Sequence, residues 1–149
     1  MKTEDYAREL AKLKLMKEGW DVKRIPRTSK FKAEKKSKTK TIQIRGVSGR
    51  KPIPVADKGT TQMDFDAMIV VYVDHDEIFV ANHDHIVNAC GDPKPNKSKR
   101  DLPAVYWLDY KNVRASWQNN FACISRAKRK TVSPPKLKAK AVTSGKSLL

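Results

Sequence analysis

The stretch Asp66-Ala67-Met68-Ile69-Val70-Val71-Tyr72-Val73 places the tightest constraint on what this chain can fold into. It is almost continuously apolar and rich in β-branched residues. Such a run predicts a central strand buried on both faces rather than one that alternates between core and water. A strand of that kind needs a layer on each side, and the rest of the chain must supply both. Hydrophobic residues make up 39% of the 149 residues. That is enough for one core in a domain of the usual length of about 100–200 residues. Asp74-His75-Asp76 follows as a turn, and Glu77-Ile78-Phe79-Val80-Ala81 predicts the returning arm of a hairpin.

The remaining elements fit around that hairpin. Residues 3–18 predict a helix, with Thr3 as N-cap, Glu4 and Asp5 in the first turn and Gly19 as its stop. Its apolar face reads as Tyr6, Ala7, Leu10 and Leu13, widened by Leu15 and Met16. Residues 20–25 predict a strand ended by Pro26. Residues 27–40 hold six lysines and Arg27 and predict a basic loop or mobile hairpin. Residues 41–45 alternate, with Ile42 and Ile44 facing one way and Gln43 and Arg45 the other. Residues 46–62 and 91–103 read as loops, 104–108 as a short strand, and 110–121 as a helix burying Val113, Trp117 and Phe121. The expected fold is a single α/β (α+β) domain over residues 1–125, a central mixed sheet flanked by helices, with a basic disordered tail over 126–149.

Charge bears on function more than on fold. The net charge is +16, and it is segregated. Residues 63–92 contain seven acids and no Lys or Arg, and both flanks are strongly basic. A polyanionic partner is expected, nucleic acid first, and DNA ahead of RNA. No window offers the roughly 20 apolar residues of a membrane-spanning helix. The charged start MKTEDYAREL does not read as a secretory signal, and two cysteines do not make a disulfide scaffold. An intracellular, cytoplasmic protein is the expectation. Lys30, Lys32, Lys35, Lys36, Lys38 and Lys40, with Arg45, Arg50 and Lys51, are the candidate phosphate contacts.

Residues 4–45 carry a wider resemblance. A helix holds an acid in Ala7-Arg8-Glu9-Leu10, a strand begins Gly19-Trp20-Asp21-Val22, a Ser/Lys-rich loop follows, and the next strand reads Ile42-Gln43-Ile44-Arg45. This outline resembles the PD-(D/E)XK restriction-endonuclease-like superfamily, in particular archaeal Holliday junction resolvases. The resemblance implies a Mg²⁺-dependent endonuclease cleaving DNA phosphodiester bonds, and a homodimer. Carried over by position, Glu9, Gln43 and Arg45 become the catalytic set, and Glu9, Glu34 and Gln43 the metal ligands. Hard oxygen ligands suit Mg²⁺, and the cation activates water and stabilises phosphate charge. The sequence departs from the pattern at two places. Glu34 is the only acid between Asp21 and Gln43, and Arg45 stands where the family has lysine. Two readings therefore stand side by side: a nuclease with a variant site, or a binding-only relative. A third is a non-catalytic accessory or structural protein of a virion, nucleoid or ribosome.

Other chemistry is thin. Asp66 and Glu77 give a second Asp/Glu spacing, but Phe79 stands in the lysine position, so Asp66 reads as structural. His75, His83 and His85 form the only His-rich stretch and read as turn and cap residues before a metal site. Cys90 and Cys123 read as small buried hydrophobes.

Overall fold

The computed structural model describes residues 2–55, 63–90 and 106–128. The expected loop at 91–103 and almost all of the expected tail lie outside the described residues. The fold is α+β. Helix α1 (Thr3–Lys17) leads into β1 (Asp21–Arg24), β2 (Lys30–Lys35) and β3 (Lys38–Val47). Short β4 (Ile53–Pro54) precedes β5 (Ala67–Tyr72), β6 (Glu77–Asn82), α2 (His83–Ala89) and β7 (Trp107–Leu108). Short 3-10 turns close the described chain at Tyr110–Asn112, Ala115–Trp117 and Phe121–Arg126. The main sheet is mixed, in the order β1-β2-β3-β5-β6, and β4 pairs with β7 as a separate ribbon. β1, β2 and β3 run antiparallel, β3 and β5 parallel, and β5 and β6 antiparallel.

β5 is buried at all six positions, as its apolar run requires. Alternate residues feed two cores. Ile69 and Val71 join Ile42, Ile44, Phe31 and Ala33 beneath α1. Met68, Val70 and Tyr72 join Ile53, Phe65, Ile86, Tyr106, Leu108 and Trp117 on the other side. The sheet thus has a helix face covered by α1 and the Phe121–Arg126 turn, and an opposite face covered over β5 and β6 by α2, the β4–β7 ribbon and the turns at 110–117.

Helix α1 ends as its sequence predicts. Gly19 adopts φ +94°, its N–H reaches the Met16 carbonyl at 3.0 Å, and the Trp20 N–H reaches the Leu15 carbonyl at 3.0 Å. That is the Schellman pattern, which glycine adopts without a Cβ penalty. The start differs: Lys2 is the N-cap, and no side chain caps it. The buried face differs in part: Ala7 and Leu15 are buried and Leu10 packs against the core as expected, Ala11 joins them, and Tyr6, Leu13 and Met16 stand exposed. The sheet selects this face through Gly46, whose missing Cβ leaves a hollow that the Ala7 methyl fills. Larger side chains at that point would hold the helix off the sheet.

Of the two expected readings of residues 27–40 it is the hairpin that forms, as β2 and the start of β3, paired from Lys30↔Gln43 to Lys35↔Lys38. One further expectation is corrected. Residues 110–121 are not a helix but 3-10 turns. This segment lies along the free edge of β6, where Gln118 bridges Phe79 and the Asn119 N–H reaches the Ile78 carbonyl at 2.9 Å. Covering an open sheet edge outweighs the helical spacing of residues 113, 117 and 121. The folded unit also extends past 125, since Ala127 is buried in the core beneath α1. No helix among the described residues is long and apolar enough to cross a membrane.

Candidate nucleic-acid interface

Strand alternation decides where each candidate residue points. Phe31 and Ala33 on β2, and Ile42 and Ile44 on β3, enter the core under α1. Lys30, Lys32 and Glu34, with Thr41, Gln43 and Arg45, therefore lie on the opposite face.

The lysines of the β2–β3 hairpin divide accordingly. Lys35, Lys38 and Lys40 donate to backbone carbonyls within the chain. Lys35 Nζ donates to the Glu18 carbonyl at 2.7 Å, at the end of α1, and sits 5.6 Å from the centre of the Trp20 ring. A cation there suits the negative end of the helix. Lys38 donates to the Ser125 carbonyl at 3.2 Å and Lys40 to the Ala127 carbonyl at 2.5 Å, so both tie down the C-terminal turn. Lys35→Met should lower stability by about 0.3–1 kcal/mol while keeping the apolar stem over Trp20. The urea midpoint checks this, and an unchanged midpoint would show that the cap contributes nothing.

Lys32 is exposed on the opposite face, directly across from Lys23 of β1, which is also exposed. Neither makes an ion pair or hydrogen bond among the described residues. Facing residues on adjacent strands have Cβ atoms about 4.5–5.5 Å apart, and like charges so placed repel. Lys30 follows on the same face, half-buried and opposite Gln43. Lys36 is exposed at the hairpin turn, with φ +55°. One acidic rung, Asp21 opposite Glu34, lies between the lysine rung and that turn. Lys23 was not among the residues singled out from sequence, because its pairing with Lys32 is a matter of register.

The expected catalytic set is not brought together. Glu9 is exposed on α1, in a shallow cleft with Asp5, Arg8, Lys12, Arg24 and Phe31 on the helix face. Gln43 projects from the other face of the sheet and is fully buried, its Nε2 donating to Ser29 Oγ at 2.8 Å. Glu34 pairs with Thr39, four rungs from Gln43, which is about 13 Å along the strand. Glu9, Glu34 and Gln43 therefore do not fit around one Mg²⁺. Among the described residues, no group of three or more His, Cys, Asp or Glu is placed to hold a metal ion.

The helix acid that does meet β3 is Glu4. Glu9 lies five residues further on, about 140° round the helix and 7.5 Å along it. β2 ends opposite Gln43, and the last bond on that edge is the Ile44 N–H to the Ser29 carbonyl at 2.9 Å. The next N–H on the same edge, that of Gly46, meets no strand among the described residues. Glu4 Oε2 accepts it at 2.7 Å, and Glu4 Oε1 accepts from Arg45 Nη1 at 3.2 Å. Arg45 is thus held at the sheet edge by Glu4.

Arg50 is similarly occupied. It bonds Glu77 through Nε and Nη2, each at 3.2 Å, and lies 4.5 Å from the centre of the Tyr110 ring. Tyr110 donates its hydroxyl to the same carboxylate at 3.2 Å. The bond from Arg50 holds the Glu77 carboxyl below its ordinary value of 4.5 and raises the guanidinium. The folded Glu77 therefore binds its proton less readily than the unfolded one. Its contribution to stability is full above the ordinary carboxylate range and is lost as pH falls through the depressed value. Glu77→Gln should flatten the stability profile below about pH 4.5 relative to the parent. Denaturant unfolding between pH 3 and 7 measures this, and parallel profiles would rule it out. Lys51 is exposed beside this clamp.

The remaining candidates fall into structural places. The Asp66 carboxylate accepts the Thr41 N–H at 2.8 Å and joins the start of β5 to β3. His75 lies in a 3-10 turn, His83 is buried against the Phe65 ring, and His85 stacks on Trp117. Cys90 is buried, and burial pushes the Cys123 thiol up, away from the reactive thiolate. Comparison with family models, with curated proteins and with solved structures found no match.

Proposed function

We propose that this protein binds nucleic acid through its phosphate backbone, using the open face of β1, β2 and β3, and that it does so without cutting through the Glu9, Glu34 and Gln43 set. The observation that carries this reading is the Lys23–Lys32 rung. Two ammonium groups held opposite each other cost stability in the free protein, and a phosphate between them relieves that cost. Lys30 on the same face and Lys36 at the turn extend the positive track, and the net charge of +16 draws a polyanion to it. The order of a helix, three antiparallel strands and a strand parallel to the third supports a restriction-endonuclease-like core for this binder. Phosphate contacts position a protein without reading bases, so DNA is expected to be selected by shape.

The test is a binding titration on duplex, branched and single-stranded DNA across salt, in Mg²⁺ and in EDTA, with native and denaturing gels in parallel. The expected result is a shift that weakens steeply with salt, is indifferent to EDTA and leaves the strands intact. Mg²⁺-dependent cutting lost in Glu9→Ala or Gln43→Ala would overturn the binding-only reading and restore the nuclease. Absence of any shift would overturn DNA binding itself.

A further inference from the structure

A second feature lies on the same side of the sheet, beyond β6. A cleft of about 410 Å³ opens between α2 and the turns at 112–117, lined by His85, Asn88, Ala89, Asn112, Arg114, Ser116 and Trp117. Its volume falls in the range of about 300–1,000 Å³ typical of small-molecule sites. Five of the seven lining residues are polar or cationic and none is acidic. The side chains of Asn88, Asn112, Arg114 and Ser116 make no hydrogen bond or ion pair among the described residues. The His85 ring is stacked on Trp117, with centroids 6.3 Å apart and planes 18° apart. Trp117 is buried, whereas His85 is exposed.

We infer that this cleft is a nucleotide-binding site. The chemistry of its walls matches the parts of a nucleotide. An aromatic pair with an exposed imidazole offers a stacking platform, which any base can use because every base has a π face. Two amide side chains offer paired donors and acceptors of the kind that read the edge of an unstacked base. The guanidinium of Arg114 supplies the planar fork that binds phosphate oxygens in pairs, and none of the described residues lining the cleft is a carboxylate. A ligand lacking a charge would leave Arg114 unused, and a bare phosphate would leave the platform and the amides unused. The elements that build the cleft are fixed from beneath. Ile86 and Val87 of α2 are buried, Asn82 caps that helix through the His85 N–H at 2.9 Å, and Gln118 bridges β6. The cleft is separate from the lysine rung: β2 and β6 are three strand spacings apart, about 14 Å.

The nucleotide can be free or part of a strand, and the experiment separates the two. The full chain is titrated with each of the four nucleoside monophosphates by calorimetry, and with a short single-stranded oligonucleotide by fluorescence anisotropy. Arg114→Ala, His85→Ala and the Lys23→Gln/Lys32→Gln pair are compared with the parent. Arg114, His85 and both lysines are exposed, so these variants are expected to fold, and circular dichroism checks that they do. Monophosphate binding weakened at least tenfold by Arg114→Ala and His85→Ala, but not by the lysine pair, identifies a free nucleotide. Oligonucleotide binding with the same Arg114 and His85 dependence, without monophosphate binding, identifies a nucleotide within a strand. Binding of neither ligand, or binding indifferent to both Arg114→Ala and His85→Ala, overturns the site. Loss confined to the lysine pair would uphold the backbone interface and reject the cleft.

Discussion

Gly46→Ala is expected to destabilise the fold by about 1–3 kcal/mol, the usual cost of forcing a methyl group into a packed interface. A Cβ at Gly46 would stand 2.3 Å from the Ala7 Cβ, far inside contact distance, and 3.4 Å from the Thr3 carbonyl oxygen. Neither neighbour is the end of a flexible chain, so α1 must move as a body. That movement withdraws Glu4 from the Gly46 N–H and from Arg45, so a half-buried strand edge loses its acceptor as the helix shifts. A loss of this size is a large part of the roughly 5–15 kcal/mol that holds a domain together. The unfolding midpoint in urea gives the direct measure. Ala7→Gly combined with Gly46→Ala should recover part of the loss, because it removes the clashing methyl from the other side. An unchanged midpoint in Gly46→Ala would show that the helix does not sit this close to the sheet.

Lys23→Gln with Lys32→Gln is expected to reduce DNA affinity about 60-fold at 0.1 M salt and to lower the salt slope by about two, if each lysine meets one phosphate. The same double variant should keep or slightly raise stability, because a repelling pair across two strands has been removed. These opposite signs make the prediction discriminating. A surface that serves only solubility would show the stability change without the affinity change. A folding defect would lower both together. Lys38→Gln and Lys40→Gln supply the contrast, since those ammonium groups donate to the carbonyls of Ser125 and Ala127. They should affect the C-terminal turn first and the salt slope little.

Much of this fold was legible in the residues themselves. The apolar run at β5, the hairpin with β6, the alternation of Ile42 and Ile44, and the stop at Gly19 are local signals. Each arises from a run, a period or a φ angle that neighbouring residues set among themselves. The two short elements that went unread, β4 and α2, carry too few residues for a period to show. The rotation of α1 was hidden for a different reason. Tyr6 and Leu13 read as one apolar face with Ala7 and Leu10, but only Ala7 and Leu10 of these meet the core, because the side that docks is chosen by a hollow at Gly46, about 40 residues away in the chain.

The candidate site shows the same division. Residue type and charge were enough to predict a polyanion partner, because net charge acts at long range and needs no geometry. Which cations remain available to that partner was decided only by pairing. Register sets Lys32 opposite Lys23, alternation turns Lys38 and Lys40 toward the C-terminal turn, and the Arg50–Glu77–Tyr110 clamp closes across distant segments. Spacing along the chain placed Glu9, Glu34 and Gln43 in one expected site, whereas the sheet separates them, since a catalytic set is a property of faces and rungs. The sequence alone determined that one sheet with a doubly buried centre would form and that a strongly basic surface would surround it. The tertiary structure decided which acid meets β3, which lysines face outward and where a cleft opens, because side-chain direction along a strand or helix acquires meaning only once its neighbours are packed.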